Sequence, residues 1–364
     1  MKYTLQIAAS LQIGGAEKVT RDIGLYPDSK EFETHYIVFG DQMGAYERQL
    51  TARGCKIFHM PSPGANYREY LRTLKQLMQK YPYTAVHAHT MFNAGWVMWQ
   101  ARRMGVPVRV AHSHSALDNQ GGWKTRAYEA AMRALILACS TDLVTCGEQA
   151  GIRLFGKNAY RKRGKLILNG IDVRAYRFDP AARDRIRAQL GLTDSFVIGH
   201  AGHLAEVKNQ AYLLDLMPRI LERKPNARLL LLGEGPDRPM LEEKITGLGL
   251  ENAVMMTGNV MNVADYLSAM DVFAFPSLYE GMPLSIIEVQ ANGLPCVLST
   301  GVPKDVHLTD LIRPLALEEP EAWVEAICGS CRGDWEPYQE QLFRSGFDVS
   351  AAMRKIYDIY EQKN

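Results

Sequence analysis

The chain has 364 residues, which is too long for one ordinary hydrophobic core and predicts two domains of roughly 150 to 200 residues each. A hydrophobic fraction of 47% with 23% charged residues excludes a disordered or fibrous chain. Forty-two Lys and Arg residues balance 40 Asp and Glu residues, so no global positive field indicates a nucleic-acid partner.

The sequence shows no pattern of a membrane-spanning or secreted chain, because no apolar run approaches the roughly 18 residues that a spanning helix needs. Its first ten residues predict a strand rather than a signal peptide. Six cysteines without a disulfide spacing fit a reducing compartment, and the pair Cys328 and Cys331 indicates neither zinc nor redox chemistry. We therefore expect a cytoplasmic protein, with peripheral contact to the inner face of the membrane as an alternative.

In the first half of the chain, short apolar β-branched runs alternate with segments of helical period. The predicted strands are Thr4–Ala9, His35–Phe39, Lys56–Met60, Ala85–His89, Val108–Ala111, Asp142–Thr145 and Lys165–Leu168. The helices predicted between them include Ala16–Leu25, Tyr67–Lys80 and Trp123–Ala138. This alternation predicts an α/β domain with a parallel sheet covered by helices.

A second unit of the same kind follows, after a linking helix with Asp179 as N-cap, Pro180 in its first turn and Gly191 as its stop. Its predicted strands are Phe196–Ala201, Arg228–Leu232, Val254–Thr257, Val272–Phe275 and Cys296–Ser299. Its predicted helices are Asn209–Arg223, Met240–Leu248, Val263–Ala269 and Pro283–Asn292. We place a hinge near Gly170. Because open parallel sheets bind ligands beyond the carboxyl ends of their strands, two such sheets predict a cleft lined from both halves.

The loop after the first strand contains adjacent glycines, Gly14 and Gly15, directly before a predicted helix. Adjacent glycines let a backbone approach a phosphate at the positive end of a helix. The spacing is not G-x-G-x-x-G and no acidic residue follows at the ribose spacing, which excludes a dinucleotide site. A phosphate-approach loop and a plain tight turn both stay open.

A basic segment runs from Arg153 to Lys165, with six basic residues and no acidic one. We favour a solvated surface turn there, with a patch facing anionic lipid or a phosphorylated substrate as the alternative. The preceding segment, Trp123–Ala138, carries basic residues among apolar ones. It predicts a buried helix of the first domain, with a helix resting on the membrane as the alternative.

Two His-x-His pairs, His87 with His89 and His112 with His114, end neighbouring predicted strands. Residues i and i+2 share one face of a strand, so the geometry permits a metal ion. No Asp or Glu lies beside them, and hydrogen bonds to substrate or core are favoured. The sequence also lacks D-x-D, the carboxylate pair that holds a divalent metal on a sugar diphosphate, so no metal is expected.

Lys208 follows the first strand of the second domain and precedes a predicted helix. Its charge could neutralise a diphosphate there, with Gly202 giving clearance. A single lysine is more often an ordinary surface residue, but its position at a strand-to-helix junction favours a ligand role.

The segment 276–295 holds the densest group of candidate residues. Pro283 as the first helical residue and Gly293 as the stop predict a short helix directly after a strand and a turn. The free backbone amides of Leu284 and Ser285 then form an anion site at the start of this helix.

Two glutamates flank that anion site. Glu288 lies roughly 6 Å further along the helix axis, about the offset of a ribose from the diphosphate it carries. Glu280, on the turn beside Gly281, can reach a sugar on the other side of the phosphates. Two glutamates eight residues apart are usually solvated surface residues, but the turn and the strand end favour binding here.

With these motifs in order, the chain resembles glycosyltransferase family 4, in particular its bacterial exopolysaccharide and capsule type. The resemblance covers nearly the whole chain, and the order and spacing of its motifs are specific. The motifs are Gly14-Gly15-Ala16-Glu17, Val110-Ala-His-Ser-His114, Leu168-Asn-Gly-Ile-Asp172, Lys208-Asn209, Gly233-Glu-Gly-Pro236 and Glu280-x7-Glu288.

The resemblance implies the GT-B fold, in which two Rossmann-like doubly wound domains face each other across a cleft. It implies an acceptor domain over residues 1–169, a nucleotide-sugar donor domain over 170–345 and a C-terminal helix within 346–364 that crosses back to the first domain. It also implies retention of anomeric configuration and no metal or other cofactor. Positive groups and helix amides would stabilise the leaving nucleoside diphosphate, and its phosphate oxygen would take the acceptor's proton.

The resemblance also assigns roles to residues: Gly15 to the donor phosphate, His114 to the donor sugar, Lys208 to the diphosphate, Glu280 to the sugar hydroxyls and Glu288 to the ribose. Of these, His114, Lys208 and Glu280 are the expected catalytic residues. The expected donor site further includes His203, Gly281, Leu284 and Ser285. UDP is the expected nucleotide, and the expected acceptor is a cell-surface glycan or a polyprenyl-diphosphate-linked sugar.

His203 departs from the family pattern, which usually has an Arg at this position. A neutral His lacks the permanent bidentate charge of Arg. Unless His203 protonates or another Arg substitutes, this would cost about 1 to 3 kcal/mol of leaving-group stabilisation and slow turnover roughly tenfold to a hundredfold. A non-catalytic partner that binds a sugar nucleotide is therefore the alternative function, although Lys208, Glu280 and Glu288 oppose it. An epimerase or inverting transferase would need a carboxylate or His with free access to the reacting carbon, and the sequence identifies none.

Overall fold

The computed structural model describes residues 1–27, 31–115 and 121–361. It divides into two compact units, of which unit 1 comprises Met1–Gly170 and Val349–Asn364, and unit 2 comprises Ile171–Asp348. The chain thus leaves unit 1 directly after Gly170 and returns to it with its last helix.

Unit 1 is built on a seven-stranded sheet in which every named strand pair is parallel. Its strands are β1 (Lys2–Ile7), β2 (Phe32–Phe39), β3 (Lys56–Met60), β4 (Tyr83–Ala88), β5 (Val108–Ser113), β6 (Asp142–Thr145) and β7 (Gly164–Leu166). The strand order is β3-β2-β1-β4-β5-β6-β7, so the direction of winding reverses between β1 and β4. Ligands of open parallel sheets bind at such a switch point.

The helices of this part of unit 1 cover both faces of its sheet, which explains why most residues of its central strands are buried. They are α1 (Gly15–Leu25), α2 (Glu47–Ala52), α3 (Tyr67–Lys80), α4 (Ala94–Arg103), α5 (Trp123–Cys139), α6 (Glu148–Phe155) and α7 (Lys157–Arg163). Helix α5 belongs to the first domain, as predicted, but it is buried along one face only. Met132 and Ile136 lie in the core beside α4, whereas Trp123 in its first turn is 76% exposed.

The basic segment between Arg153 and Lys165 is not a turn, and that part of the prediction was wrong. It forms the end of α6, helix α7 and the start of β7. It does lie at the surface, because α7 buries none of its residues. Arg153 lies 2.7 Å from the Glu129 carboxylate and Lys165 lies 2.8 Å from that of Asp142, so part of the positive charge is compensated inside unit 1. Among the helices of the described residues, none combines the length and the apolarity that a bilayer crossing needs.

Unit 2 has the same type of architecture, with a six-stranded parallel sheet of order β10-β9-β8-β11-β12-β13. Its strands are β8 (Phe196–Ala201), β9 (Ala227–Leu232), β10 (Val254–Gly258), β11 (Val272–Phe275), β12 (Cys296–Ser299) and β13 (Ile312–Leu315). Its helices are α8 (Pro180–Leu190), α9 (Gln210–Arg223), α10 (Arg238–Gly247), α11 (Val263–Ala269), α12 (Leu284–Ala291), α13 (Pro320–Gly329) and α14 (Glu336–Arg344). Its switch point lies between β8 and β11. The prediction of two doubly wound parallel sheets is confirmed.

The two ends of the linking helix α8 lie where the sequence predicted them, and specific contacts explain both. The Asp179 carboxylate accepts a hydrogen bond from the Ala181 amide at 2.9 Å, and Gly191 ends the helix with a φ of +67°. Strand β13, by contrast, was not predicted. It has the sequence Ile-Arg-Pro-Leu at the edge of the sheet, where Pro314 is tolerated but breaks the apolar pattern.

The last helix, α15 (Val349–Glu361), packs against the sheet of unit 1. Its buried face includes Ile356, Tyr357 and Tyr360, in one apolar cluster with Phe32 of β2. The Tyr357 hydroxyl donates to the Ile23 carbonyl at 2.7 Å. This helix therefore places side chains from the end of the chain against the first strands of the same unit.

Candidate functional site

In unit 2, the candidate residues lie at the carboxyl ends of β8 and β11, which are neighbours at the switch point. After β8 the chain forms a loop with His203 and a 3-10 turn that ends at Lys208. After β11 it forms a loop with Glu280 and then starts α12. We call this group the unit 2 strand-end site; its residues are His203, Lys208, Glu280, Gly281, Leu284, Ser285 and Glu288.

Lys208 and Glu280 form an ion pair, with 2.5 Å between the lysine Nζ and a carboxylate oxygen. Only 18% and 11% of their side chains are exposed. Lys208 Nζ also lies 5.0 Å from the centre of the Phe275 ring, within cation–π range. Separate ligand roles were predicted for these two residues, and their direct pairing was not.

The two loops that carry this ion pair are joined by backbone and side-chain hydrogen bonds. The Leu278 amide donates to the Val207 carbonyl at 2.8 Å, and the Asn209 amide side chain donates to the Pro276 carbonyl at 3.3 Å. Asn209 itself has a φ of +53°, a conformation that Asn tolerates better than most residues. These contacts fix the position of Lys208 relative to Glu280.

Three glycines allow the close packing behind these loops. A Cβ atom at Gly233 or Gly235 would overlap the backbone of the Gly202–Leu204 loop, and one at Gly301 would overlap the Leu278 carbonyl oxygen. The Glu280 amide donates to the Gly301 carbonyl at 3.2 Å. Gly301 is a site-supporting residue that the sequence analysis missed.

Helix α12 begins at Leu284, so Pro283 is its N-cap and not its first residue. Pro283 lies outside the helix because its backbone is extended, with a ψ of 102°. The amides of Leu284 and Ser285 are the first two of the helix and have no intrahelical acceptor. Glu288 lies one turn further and is half-buried, and a Cβ at Gly281 would meet open space.

His203 is exposed on the loop after β8, while His200 in the strand is fully buried. His200 Nδ1 lies 3.0 Å from the Ala274 carbonyl, and burial lowers the pKa of His200 to about 4. Gln210 contacts both the His200 ring and the His203 carbonyl, at 3.2 and 2.9 Å. The buried His200 thus supports the loop, and the exposed His203 presents its side chain to solvent.

In unit 1, helix α1 begins at Gly15, and Gly14 precedes it in an extended conformation with a φ of −175°. A Cβ at Gly15 would meet nothing within 4 Å, so the fold itself leaves space above this helix start. The space is compatible with the predicted approach of a phosphate, and the tight-turn explanation does not require a glycine at this position.

The two His-x-His pairs come together at the carboxyl ends of β4 and β5, as their spacing predicted. His87 Nε2 lies 3.1 Å from His112 Nδ1, and His89 Nδ1 lies 2.8 Å from His114 Nε2. Burial lowers the pKa of His87, His89 and His112 well below the usual value and that of His114 to about 4, so all four rings are neutral at pH 7.

Nitrogen atoms of His87, His89 and His112 lie within 4.8 Å of one another, close enough for a metal ion. Both ring nitrogens of His87 and of His89, however, are already in hydrogen bonds with protein groups. A metal would have to replace several of these bonds. The described residues of this group therefore fit a hydrogen-bonded cluster better than a metal centre.

Two known protein families match the sequence. Residues 14–170 match the glycosyl transferase 4-like domain and residues 195–331 match the glycosyl transferases group 1 domain. The chain is 34% identical to a protein named glycosyltransferase EpsF from Bacillus subtilis, over 100% of this chain and 98% of that protein.

Two further proteins extend the comparison. The UDP-Gal:alpha-D-GlcNAc-diphosphoundecaprenol alpha-1,3-galactosyltransferase of Escherichia coli is 30% identical over 63% of this chain and 61% of its own length. The crystal structure of Anabaena HepE in complex with UDP-glucose superposes with a TM-score of 0.77 and 21% identity, covering 98% of this chain and 99% of that one. This second similarity shows a shared fold.

Proposed function

Because the chain belongs to glycosyltransferase family 4 and is therefore a glycosyltransferase of the EC 2.4 class, we propose that it transfers a sugar from a UDP-sugar to a cell-surface glycan or a lipid-linked acceptor. We propose further that the reaction retains the anomeric configuration and requires no metal ion. The observation that carries the proposal is the Lys208–Glu280 pair beside the start of α12, at the switch point of unit 2.

This arrangement suits a diphosphate that bears a sugar. A diphosphate offers Lys208 more negative charge than one carboxylate does, and it can accept from the amides of Leu284 and Ser285 at the positive end of α12. Glu280, released from Lys208, can then accept hydrogen bonds from sugar hydroxyls. Glu288, one turn along the helix, is proposed to bind the ribose.

The same groups account for leaving-group stabilisation without a metal. Charge builds up on the diphosphate as its bond to the sugar breaks, and a fixed lysine with helix amides stabilises that charge without reorganising. His203, where the family usually has Arg, is proposed to contribute a hydrogen bond on this side. Gly15 and His114 of unit 1 are proposed to contact the donor phosphate and the donor sugar.

UDP as the nucleotide is supported by two proteins that this chain resembles: the E. coli relative named for UDP-Gal and the HepE complex with UDP-glucose. The name of the E. coli relative also includes a diphosphoundecaprenol acceptor, which supports a lipid-linked acceptor here. Such an acceptor would place the enzyme in the cytoplasm with peripheral access to the membrane surface. Binding of the purified protein to liposomes that contain anionic lipid tests that part.

The primary test measures binding and hydrolysis of UDP-, GDP- and ADP-sugars with and without EDTA. We expect a UDP-sugar to bind and turn over slowly in EDTA, and Lys208→Ala to weaken binding at least tenfold. Lys244→Ala is the matched control, because Lys244 is also ion-paired in unit 2, with Asp215 at 2.6 Å, but on α10. Loss of binding in EDTA would disprove metal independence, and equal effects of the two variants would disprove the site.

A second function, a non-catalytic partner that binds a sugar nucleotide, is favoured by one feature only: His203 in the position where the family usually has Arg. It predicts that a UDP-sugar binds through Lys208 and Glu288 but is neither hydrolysed nor transferred to any lipid-linked acceptor. NMR of the anomeric proton of a transferred sugar would separate this function from a transferase and would also show whether configuration is retained.

A further inference from the structure

A polar cavity lies at the amino edge of the unit 2 sheet, where β8 and β11 begin. Its volume is about 480 Å³, and its lining includes Phe196, the first residue of β8, and Asp271, directly before β11. Because β8 has six residues at roughly 3.3 Å each, the cavity lies about 20 Å from the strand-end site at the other edge. Its charged lining residues and one thiol are Arg183, Arg187, Lys224, Asp271, Cys331 and Arg332, and we call it the arginine pocket.

The three arginines of the arginine pocket crowd around one short segment of the chain. Arg183 and Arg187 each lie 2.6 Å from one oxygen of the Asp271 carboxylate. Arg183 and Arg332 both donate to the Met270 carbonyl, at 3.0 and 3.1 Å. The shared acceptors therefore hold three guanidinium groups close together, although their like charges repel each other.

Helix α11 explains why the arginines lie there, but not why so many cations line one cavity. The guanidinium groups donate to carbonyls at the C-terminal end of α11, among them Ser268 and Ala269, at 3.1 and 2.9 Å. Such a helix end carries only about half a negative charge. With Lys224, the lining holds four cationic side chains and a single carboxylate, that of Asp271. The side chains of the pocket thus carry a formal surplus of positive charge.

The groups of the protein leave some of these cations without full compensation. Arg332 Nε is buried and has no hydrogen-bond partner among the residues that the structure describes. Burial and the charge of Arg183 lower the pKa of Arg332 to about 9, against the opposite effect of Asp271. The Lys224 ammonium lies 4.2 Å from the centre of the Phe196 ring and forms no ion pair with any described residue. A further negative group in the pocket would stabilise these cations.

We propose that the arginine pocket binds the phosphate group of a small molecule. Guanidinium forks match phosphate oxygens in pairs, and the lysine adds a point charge, so the set favours a phosphate dianion over chloride. Cavities that bind small molecules measure about 300 to 1,000 Å³, so this one has room for more than the phosphate itself. The inference goes beyond the proposed function and does not depend on it, because the pocket and the strand-end site lie at opposite edges of the sheet.

Calorimetric titration with inorganic phosphate is the first test, with chloride at the same ionic strength as the reference. It is carried out on the Lys208→Ala protein as well as the unmodified one, because the strand-end site could also bind phosphate. We expect phosphate to bind in both proteins and glucose 6-phosphate to bind at least as tightly. Tighter binding of glucose 6-phosphate would identify a phosphorylated metabolite as the ligand, and equal binding would identify free phosphate.

Two arginines of helix α8 provide the matched variants. Arg183→Gln removes a guanidinium group of the pocket, and Arg185→Gln is the control, because Arg185 pairs with Asp265 at 2.9 Å outside the pocket. We expect Arg183→Gln to weaken phosphate binding roughly tenfold to a hundredfold and Arg185→Gln to leave it unchanged. Lys224→Gln breaks no ion pair with a described residue. It should act like Arg183→Gln and serves if that variant fails to fold.

Cys331 reports where the phosphate group binds. It is an exposed cysteine in the lining of the pocket, whereas Cys328 is half-buried and the remaining cysteines are buried. The rate at which N-ethylmaleimide modifies Cys331, followed by mass spectrometry, measures the reactivity of this thiol. We expect saturating glucose 6-phosphate to slow the modification several-fold, because the ligand covers the thiol and cancels the positive charge that favours its thiolate.

Three results would each overturn the proposal. Phosphate that binds no better than chloride would mean that the helix ends already compensate the cations. Equal effects of Arg183→Gln and Arg185→Gln would mean that only the general charge of α8 matters. If Lys208→Ala abolishes phosphate binding while Arg183→Gln preserves it and Cys331 reacts at an unchanged rate, the phosphate occupies the strand-end site. That last result would support the proposed function and exclude the arginine pocket.

Discussion

The two units have the same strand order around their switch points, but opposite chemistry at the ends of the strands. In unit 1 those ends carry four hydrogen-bonded neutral histidines, of which His87, His89 and His112 are buried and His114 is half-buried. In unit 2 they carry Lys208 and Glu280, a charged pair that remains partly exposed. One doubly wound design thus supports two kinds of recognition, and the difference is made by a few side chains after the strands.

Under the proposed function, this difference would correspond to the two parts of a sugar nucleotide. Hydroxyls are neutral and directional, so an ordered hydrogen-bond chain distinguishes them well, and its low dielectric surroundings strengthen each bond. A diphosphate is strongly charged, so it needs a permanent cation and helix amides in a place where water can enter and leave. The comparison can be tested by protonating the neutral histidines of unit 1 at low pH and by removing one charge from the Lys208–Glu280 pair of unit 2.

The largest expected effect is on the pH dependence of stability in unit 1. The folded pKa values of His87, His89, His112 and His114 are below the unfolded value, so the unfolded chain binds more protons as the pH falls below about 6.5. The stability that these four histidines contribute to the folded state is therefore fully present above pH 6.5 and is lost as the pH falls below that value. Each contributes up to about 1.4 kcal/mol per pH unit in that window.

Hydrogen exchange of the strands, corrected for intrinsic rates, measures this effect from pH 7.5 to pH 5. Strands β4 and β5 should lose more protection than β8 and β11, because four buried or half-buried histidines lie together at the ends of β4 and β5, whereas in unit 2 burial lowers the pKa of His200 and of His307 at separate places. In unit 1, His35 adds to the effect and His59, whose pKa is raised, opposes it. Equal losses in both sheets would contradict the neutral state of the four histidines at the ends of β4 and β5.

A slightly smaller effect is expected from Glu280→Gln, which removes one charge of the unit 2 pair and keeps its shape. We expect kcat/KM to fall about 10²- to 10³-fold, because the carboxylate that is proposed to accept hydrogen bonds from the sugar is replaced by a neutral amide. The affinity for UDP should stay the same or increase, since Lys208 is no longer neutralised by its partner.

Glu242→Gln is the control for that variant, because Glu242 pairs with Arg238 at 2.8 Å on the exposed face of α10. It should leave kinetics and UDP binding unchanged. A parallel loss of UDP affinity in Glu280→Gln would mean that Glu280 holds the loop in place instead of contacting the sugar.

Gly301→Ala should weaken UDP-sugar binding less than Glu280→Gln lowers kcat/KM. It changes the packing of the loop that carries Glu280 and leaves the charges of the site in place. An alanine Cβ would overlap the Leu278 carbonyl oxygen and displace the loop that carries Glu280. We expect about tenfold weaker UDP-sugar binding and a loss of roughly 1 to 3 kcal/mol in unfolding free energy. Gly329→Ala, at the end of α13 where a Cβ meets nothing within 4 Å, should change neither.

Much of this fold could be predicted from the sequence, because local signals sufficed. Strands β3, β8, β11 and β12 and helix α3 have the predicted limits, and α8 has the predicted cap. Strand β13 and helix α14 were missed. Their apolar residues are few, and proline and charged residues obscure the period.

The contacts within the sites could not be predicted in the same way. Lys208 and Glu280 are 72 residues apart, and they meet only because β8 and β11 are neighbours at the switch point. Tyr360 is 273 residues from His87, and its hydroxyl reaches that ring only because α15 returns to unit 1. Sequence spacing indicates which residues end a strand, whereas side-chain pairing depends on the tertiary fold.

The smallest expected effect comes from adding the charge that the family usually has. His203→Arg places a permanent, planar donor on the exposed loop after β8, near the proposed diphosphate. We expect kcat/KM to rise roughly tenfold with little change in stability. Leu248→Arg, which adds the same charge at the exposed end of α10, is the control and should not alter turnover. If His203→Arg binds UDP-sugars more tightly and still transfers nothing, the missing charge does not explain the absence of turnover, and the non-catalytic partner becomes the better function.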